Sequence, residues 1–152
     1  MLSSRLVRLI EEHWDLLTIG IVKDIGADTR LRYVAALPES ELRERARDIL
    51  ERLGHWLTTA HEQEMARHFE HLGAVRHSEA IPLDEVVLAY LKIKNRMLEF
   101  ARAQGIGPSA MELYAEEELQ HSVGHFFDGA IYHLVRGYER AHEAPHSAAA
   151  RR

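Results

Sequence analysis

Apolar residues recur in steps of three and four along almost the whole chain, which is the period of an amphipathic helix. The clearest run begins after Pro82, a residue that suits the first turn of a helix, and Asp84 and Glu85 follow where the helix dipole favours acids. The apolar face of this run comprises Leu83, Val86, Val87, Tyr90, Leu91, Met97, Leu98 and Ala101, with Lys94 among them. No segment alternates apolar and polar residues as a strand does. The pattern therefore predicts an all-α fold of about five long helices.

Glycine, proline and capping residues mark the ends of these helices. The predicted helices run from Leu2 to Ile25, from Pro38 to Leu57, from His61 to His77, from Pro82 to Gln104 and from Ser109 to Ala144. A short helix fits within residues 29–37. We expect Ser109 to cap the last long helix and Pro145 to end it. The chain is thus predicted to form one helical domain over residues 1–144 and a loose tail over residues 145–152.

The apolar faces of the helices also predict the core and a self-association surface. We expect the following side chains to be largely buried: Trp14, Leu53, Trp56, Leu91, Leu98, Phe126 and Leu134. The first and last helices carry further apolar residues beside their main stripe, and a wide apolar surface is usually covered by a partner. We therefore expect a two-fold homodimer whose interface includes Trp14, Phe127, Ile131 and Val135.

Composition narrows the classes of function. The chain has 152 residues, 19 basic against 24 acidic, and a formal net charge of -5, which disfavours a nucleic-acid partner. It has no cysteine, which excludes disulfides, thiol catalysis and cysteine-based metal sites. No apolar run approaches the ~20 residues that a membrane span needs. We expect a cytoplasmic protein without a membrane partner.

One group of histidines on the last helix has part of a metal-site pattern. His121 and His125 are four residues apart, and Glu117 and Glu118 precede them, as in half of a carboxylate di-metal site. The second Glu-x-x-His of such a site is missing from the sequence. His121 and His125 also fall on the face opposite the apolar stripe. This arrangement is more typical of a solvated or dimer-facing surface, and we expect no bound metal there.

Other histidines lie nearer the predicted core. His61, Glu64, His68 and His71 follow one another along the third long helix, and His13 lies among apolar residues of the first. If the chain binds a ligand, His13 and His68 are the candidates, because they are the histidines closest to the core. Half-buried imidazoles are more often hydrogen-bonded structural residues, and large side chains surround both. We therefore expect no haem and no other cofactor.

Catalytic patterns are missing from the sequence. It contains neither a Gly-x-Ser-x-Gly nucleophile turn nor a glycine-rich phosphate loop. Its acidic residues lie mostly on polar helix faces, where no pocket would tune them for acid–base chemistry. We expect a protein that is not an enzyme.

Four pieces of the sequence, in this order, resemble the N-terminal sensor domain of RsbR-type stressosome proteins and of related bacterial sensor kinases. The pieces are His13-Trp14-Asp15, the Leu37-Pro38-Glu39 turn, Leu53-Gly54-His55-Trp56-Leu57 and the helix that begins Ile81-Pro82-Leu83. The likeness extends from about Trp14 to Tyr138.

The resemblance implies a globin-like helical domain without haem, which dimerises and precedes an output module. A non-enzymatic signal-input domain is therefore the preferred interpretation, with an output module or a regulatory protein as its partner. The residues leave an alternative open, a helical protein that binds haem, a metal or an apolar ligand. A di-metal oxidase is the least favoured reading, because half of its ligand set is missing.

Overall fold

A computed structural model describes residues 3–58, 61–104 and 109–150 of the chain. Within these ranges the backbone forms helices and no strand, so the predicted all-α class is confirmed. The helices are α1 (Ser3–Glu12), α2 (Trp14–Ala27), α3 (Arg32–Ala35), α4 (Glu39–Leu50), α5 (Leu53–Trp56), α6 (Glu62–Ser78), α7 (Leu83–Gln104) and α8 (Ala110–Ala150). The short helix expected within residues 29–37 is α3.

Two of the predicted long helices are each broken into two. The first breaks at His13, whose φ of -106° and ψ of 22° are not helical and whose Nδ1 donates to the carbonyl oxygen of Leu9 at 2.8 Å. The second breaks at Glu51 and Arg52, before α5. The fragments α1 and α5 pack together, and the Gly54 N–H donates to the Glu11 carboxylate at 3.2 Å. Contacts between distant parts of the chain thus break helices that the apolar pattern alone predicts to be continuous.

The last helix begins as predicted and ends later. The Ser109 hydroxyl accepts a hydrogen bond from the Glu112 N–H at 3.2 Å, which confirms the predicted cap. The helix continues past Pro145 to Ala150, so the predicted end near Ala144 is wrong. A proline removes one hydrogen bond of the helical ladder, while the alanines that follow it are the strongest helix formers. That residues 145–152 are loose stays a prediction.

The most extensive packing in the fold joins α6 and α8, which run parallel to each other. Met65 lies beside Gly129 near one end of the contact, and His77 lies beside His142 near the other. The two backbones touch at Gly73 and Gly137. A Cβ on Gly73 would overlap the carbonyl oxygen of Leu134, and one on Gly137 would overlap that of Glu70. Only glycine permits this approach.

Helix α7 runs antiparallel to α8 and is held at its start by α8. The Tyr138 hydroxyl donates to the carbonyl oxygen of Ile81 at 2.7 Å, just before α7 begins. The other end of α7 packs near Leu119, early in α8. Because α7 runs in the direction opposite to α6 and to α8, the chain can return so that α6 and α8 lie side by side and parallel.

The buried face of α7 is rotated from the predicted one. Its buried residues are Glu85, Val86, Ala89, Tyr90, Ile93, Met97 and Ala101, whereas Leu83, Val87, Leu91, Lys94 and Leu98 are half-buried. The difference centres on Glu85, which is 4% exposed. Its carboxylate accepts hydrogen bonds from the N–H groups of Tyr33 at 2.9 Å and Val34 at 3.4 Å. A buried carboxylate thus satisfies the orphan donors at the start of α3.

Four of the seven predicted core residues are buried: Leu53, Trp56, Phe126 and Leu134. Leu91 and Leu98 are half-buried because the face of α7 is rotated. Trp14 is also half-buried, and the Arg47 guanidinium lies over its ring at 4.7 Å from the centroid. The expected burial is therefore complete for four of the seven side chains and partial for Trp14, Leu91 and Leu98.

A Gly137→Ala substitution is expected to lower the free energy of unfolding by roughly 2–3 kcal/mol, because the added methyl forces α6 away from α8. Gly124→Ala, in the same helix, is the control, since an added Cβ there meets nothing within 4 Å. That change should be neutral or stabilise by about 0.5–1 kcal/mol. Urea denaturation measures both. Equal effects of the two substitutions would contradict the close contact.

Replacing Glu85 with alanine should lower the free energy of unfolding by about 1–3 kcal/mol, because buried N–H groups of α3 lose their acceptor. The control is Asp84→Ala, one residue earlier and exposed, which should change it by less than about 0.5 kcal/mol. Thermal or chemical denaturation distinguishes the two. If both variants were equally stable, the capping role of Glu85 would be rejected.

Candidate functional site

Two histidines and one glutamate meet where α5 gives way to α6. The Nε2 of His55 lies 3.0 Å from the Oε2 of Glu64, and the Nδ1 of His61 lies 3.4 Å from the same oxygen. The two imidazole rings stack, with centroids 3.9 Å apart. One ligand atom of each residue lies within 4.8 Å of the others, so the three side chains could hold a metal ion. We call these three residues the His/Glu cluster.

The local fold explains why these residues meet. Trp56 anchors α5 in the core, and its indole Nε1 donates to the carbonyl oxygen of Asp48 at 2.8 Å. With Trp56 directed inward, the preceding His55 is left half-buried and can reach the first turn of α6. There His61 is the N-cap residue, and Glu64 lies three positions later on the same side of the helix.

The carboxylate of the cluster faces two imidazoles and the Arg52 guanidinium. A hydrogen bond from His55, assisted by the charges of His55, His61 and Arg52, holds the pKa of Glu64 below its ordinary value. The Arg52 guanidinium lies 3.8 Å from Oε1, the oxygen that the two imidazoles do not face. Glu64 is therefore ionised at neutral pH and offers a charged ligand atom to the space between the rings.

A groove opens beside the cluster, between the start of α6 and the middle of α8. Its volume is about 290 Å³. Its walls include His61 and Met65 from the α6 side and His125, Phe126 and His133 from α8. The groove therefore combines apolar side chains with imidazole and other polar groups.

Sequence reasoning identified two of the three residues of this site. It grouped His61 and Glu64 with His68 and His71, which lie on the same helix. The structure keeps the first two together, leaves His71 exposed and places His68 elsewhere. It missed His55, because a residue on a separate short helix has no spacing that links it to α6.

His68, a predicted ligand candidate, is packed against aromatic rings. Its ring centroid lies 5.2 Å from that of Trp56 and 4.9 Å from that of Phe69. Its Nε2 is buried and has no hydrogen-bond partner in the described part of the chain. Burial lowers the pKa of His68 from its ordinary value, so the imidazole is neutral near pH 7.

His13, the other ligand candidate, has a structural partner. Its Nδ1 is bonded to the Leu9 carbonyl oxygen, and its ring contacts Phe100 at a centroid distance of 5.4 Å. It lies at the break between α1 and α2, and neither His13 nor His68 lines the groove beside the cluster.

The metal-ligand candidates on α8 do not join the His/Glu cluster. Glu117, His121 and His125 are exposed, and Glu118 is half-buried. In the described ranges these four residues do not provide three ligand atoms close enough to share an ion. His125 alone of the four reaches the groove.

The four residues expected at a dimer interface have different environments. Phe127 is 1% exposed in a single chain, so its ring belongs to the core and leaves no surface for a second copy. Ile131, Val135 and Trp14 are half-buried. The last helix also has a large exposed apolar residue, Leu113, at 56%.

A second polar site lies between α2 and α7. Arg96 forms a two-point ion pair with Asp24, with Nη2 to Oδ1 at 2.7 Å and Nε to Oδ2 at 2.9 Å. Asp28 pairs with Lys92 at 2.8 Å and with Arg30 at 2.8 Å. Hydrogen bonds from Arg30 and then Lys92 hold the pKa of Asp28 far below its ordinary value. These ion pairs tie α7 to the end of α2.

Comparison with family models, curated proteins and solved structures finds no match to this chain. The likeness to RsbR-type sensor domains therefore rests on the four sequence pieces alone. Among the described helices, none combines the length and the apolar composition that a membrane crossing requires.

The pKa of His68 is expected to lie below 6.5 in a proton NMR titration of its ring resonance, because the folded chain resists a buried charge. As pH falls below 6.5, the unfolded chain gains a proton that the folded chain does not, so stability decreases with falling pH. His68→Gln should remove this part of the decrease. A His68 resonance that titrates at or above 6.5 would contradict the burial.

Proposed function

We propose that this chain is a non-enzymatic signal-input domain, with a globin-like arrangement of helices, that acts through homodimerisation and contact with a regulatory protein or output module. The observation that carries the proposal is the design of α8. It has 41 residues and so spans roughly 60 Å at 1.5 Å per residue, the longest element described. A helix of this length suits a connector between an input domain and a partner.

Helix α6 packs along one side of this connector helix. Contact between α6 and α8 runs from Met65 beside Gly129 to His77 beside His142. Helix α6 ends at Ser78, so the part of α8 after His142 continues beyond it. Because the backbones touch at Gly73 and Gly137, a displacement of α6 would move α8 with it. This coupling supports a role in signal transfer.

Self-association would use apolar residues of α8 that stay at least partly accessible in a single chain. At roughly 100° per residue, Leu113 and Ile131 point in the same direction, and Val135 lies about 40° away. Leu113 is exposed and the other two are half-buried. This apolar side is suited to a two-fold contact between copies.

The alternative, a ligand-binding helical protein, is favoured by one observation, the His/Glu cluster. It favours a metal over haem, because the two histidines expected to serve a haem are packed against protein groups. A signal-input domain and a metal-binding site are compatible in one chain.

Light scattering on the purified chain at micromolar concentration should give the mass of a dimer. Ile131→Asp should shift it toward monomer while the helical circular dichroism remains, since a charge would be buried without a partner. Tyr132→Asp is the control, because residue 132 is 57% exposed and lies about 100° further round the helix. A monomer mass for the unmodified chain would refute dimerisation.

Cysteine cross-linking locates the contact independently, since the chain has no native cysteine. Val135→Cys should form a disulfide-linked dimer under mild oxidation. Arg136→Cys should not, because that position lies about 100° away, on the side where the Arg136 guanidinium reaches Glu70 at 3.6 Å. Cross-linking of Arg136→Cys instead of Val135→Cys would place any dimer on another surface and reject this one.

A further inference from the structure

We propose that His55, His61 and Glu64 form a binding site for a divalent transition-metal ion of the zinc class. The site lies at the junction of α5 and α6 and would use two imidazole nitrogens and one carboxylate oxygen, leaving a fourth coordination position open. Metal binding here does not depend on the signalling role proposed above.

Distances within the cluster carry this inference. In a tetrahedral zinc site, ligands about 2.0–2.1 Å from the metal are separated from one another by roughly 3.3 Å. The Glu64 Oε2 lies 3.0 Å from the His55 Nε2 and 3.4 Å from the His61 Nδ1, close to that separation. The three ligand atoms are all within 4.8 Å of one another. Small side-chain rotations would therefore complete the first three positions around one ion.

The surroundings of the Glu64 carboxylate also favour metal binding. Arg52 faces the Oε1 of Glu64 at 3.8 Å and leaves Oε2 directed at the imidazoles. A charged partner on the second oxygen is the kind of outer contact that orients a metal-bound carboxylate. The Arg52 guanidinium also lies over the Trp56 ring, 5.6 Å from its centroid. This contact holds the guanidinium beside Oε1 of Glu64 and away from Oε2.

The ligand set identifies the class of ion. Two imidazoles and one carboxylate suit zinc and neighbouring divalent transition metals, whereas calcium and magnesium prefer oxygen ligands. Three protein ligands with one open position are the arrangement that admits water or a further ligand. His61 also lines the groove of about 290 Å³, so such a ligand would have space beside the metal.

The test uses the full chain, freed of metal with a chelator, and titration with Zn²⁺ in a calorimeter. We expect binding of one ion per chain at this site, and a rise in the midpoint of thermal unfolding when the ion is present. Glu64→Gln and His61→Ala should each weaken this binding by at least about tenfold. Both residues are at least partly exposed, so the variants should fold, which circular dichroism verifies.

Two control variants distinguish this site from non-specific binding of Zn²⁺ by the other histidines. His71 is exposed on the same helix, and His125 lies across the groove. The His71→Ala and His125→Ala variants should both bind Zn²⁺ as the unmodified chain does. Co²⁺ should give the intense visible absorption of a four-coordinate site in the unmodified chain and lose it in Glu64→Gln. The proposal is overturned if the unmodified chain binds no Zn²⁺, or if the cluster variants bind as tightly as the controls.

Discussion

The contact between the backbones of α6 and α8 is the constraint on which the rest of the structure depends. At Gly73 and Gly137 there is no room for a side chain, so the two helices approach more closely than side-chain packing allows. The contact fixes their parallel direction. Helix α7 must then run in the opposite direction to bring the chain from the end of α6 to the start of α8. The Tyr138 hydroxyl completes the arrangement by binding the carbonyl oxygen of Ile81, where α7 starts.

This packing also links the two regions to which we assign function. Helix α6 begins at the His/Glu cluster, with His61 as its N-cap residue and Glu64 in its first turn. It then runs beside α8 as far as His142, near the part of α8 that continues beyond the body. A ligand bound at one end of α6 and a partner bound at the end of α8 would thus act on one rigid pair of helices. The proposed metal site and the proposed partner-binding end of α8 are thus connected through the packed pair of helices α6 and α8 and do not share a pocket.

The sequence predicted the features that depend on local chemistry. Apolar period identified the helices, Ser109 identified a cap, and Pro82 identified the start of α7. It did not predict features set by distant contacts. The burial of Glu85 depends on a partner far along the chain, as the bond from Tyr33 illustrates, and the break at His13 accompanies the distant contact of Glu11 with Gly54. Likewise His55 joined the cluster from a different helix. Gly73 and Gly137 look like ordinary helix-weakening residues until the opposing carbonyl oxygens are seen.

Native-state hydrogen exchange followed by NMR tests the central claim most directly, namely that α6 and α8 form one cooperative unit. The account predicts that amides in residues 70–78 and 130–138 are the slowest to exchange and open with one shared free energy, equal to that of global unfolding. It also predicts that both sets respond equally to low concentrations of denaturant. If the amides of α6 exchanged through a separate, lower-energy opening while those of α8 stayed protected, the account would be contradicted.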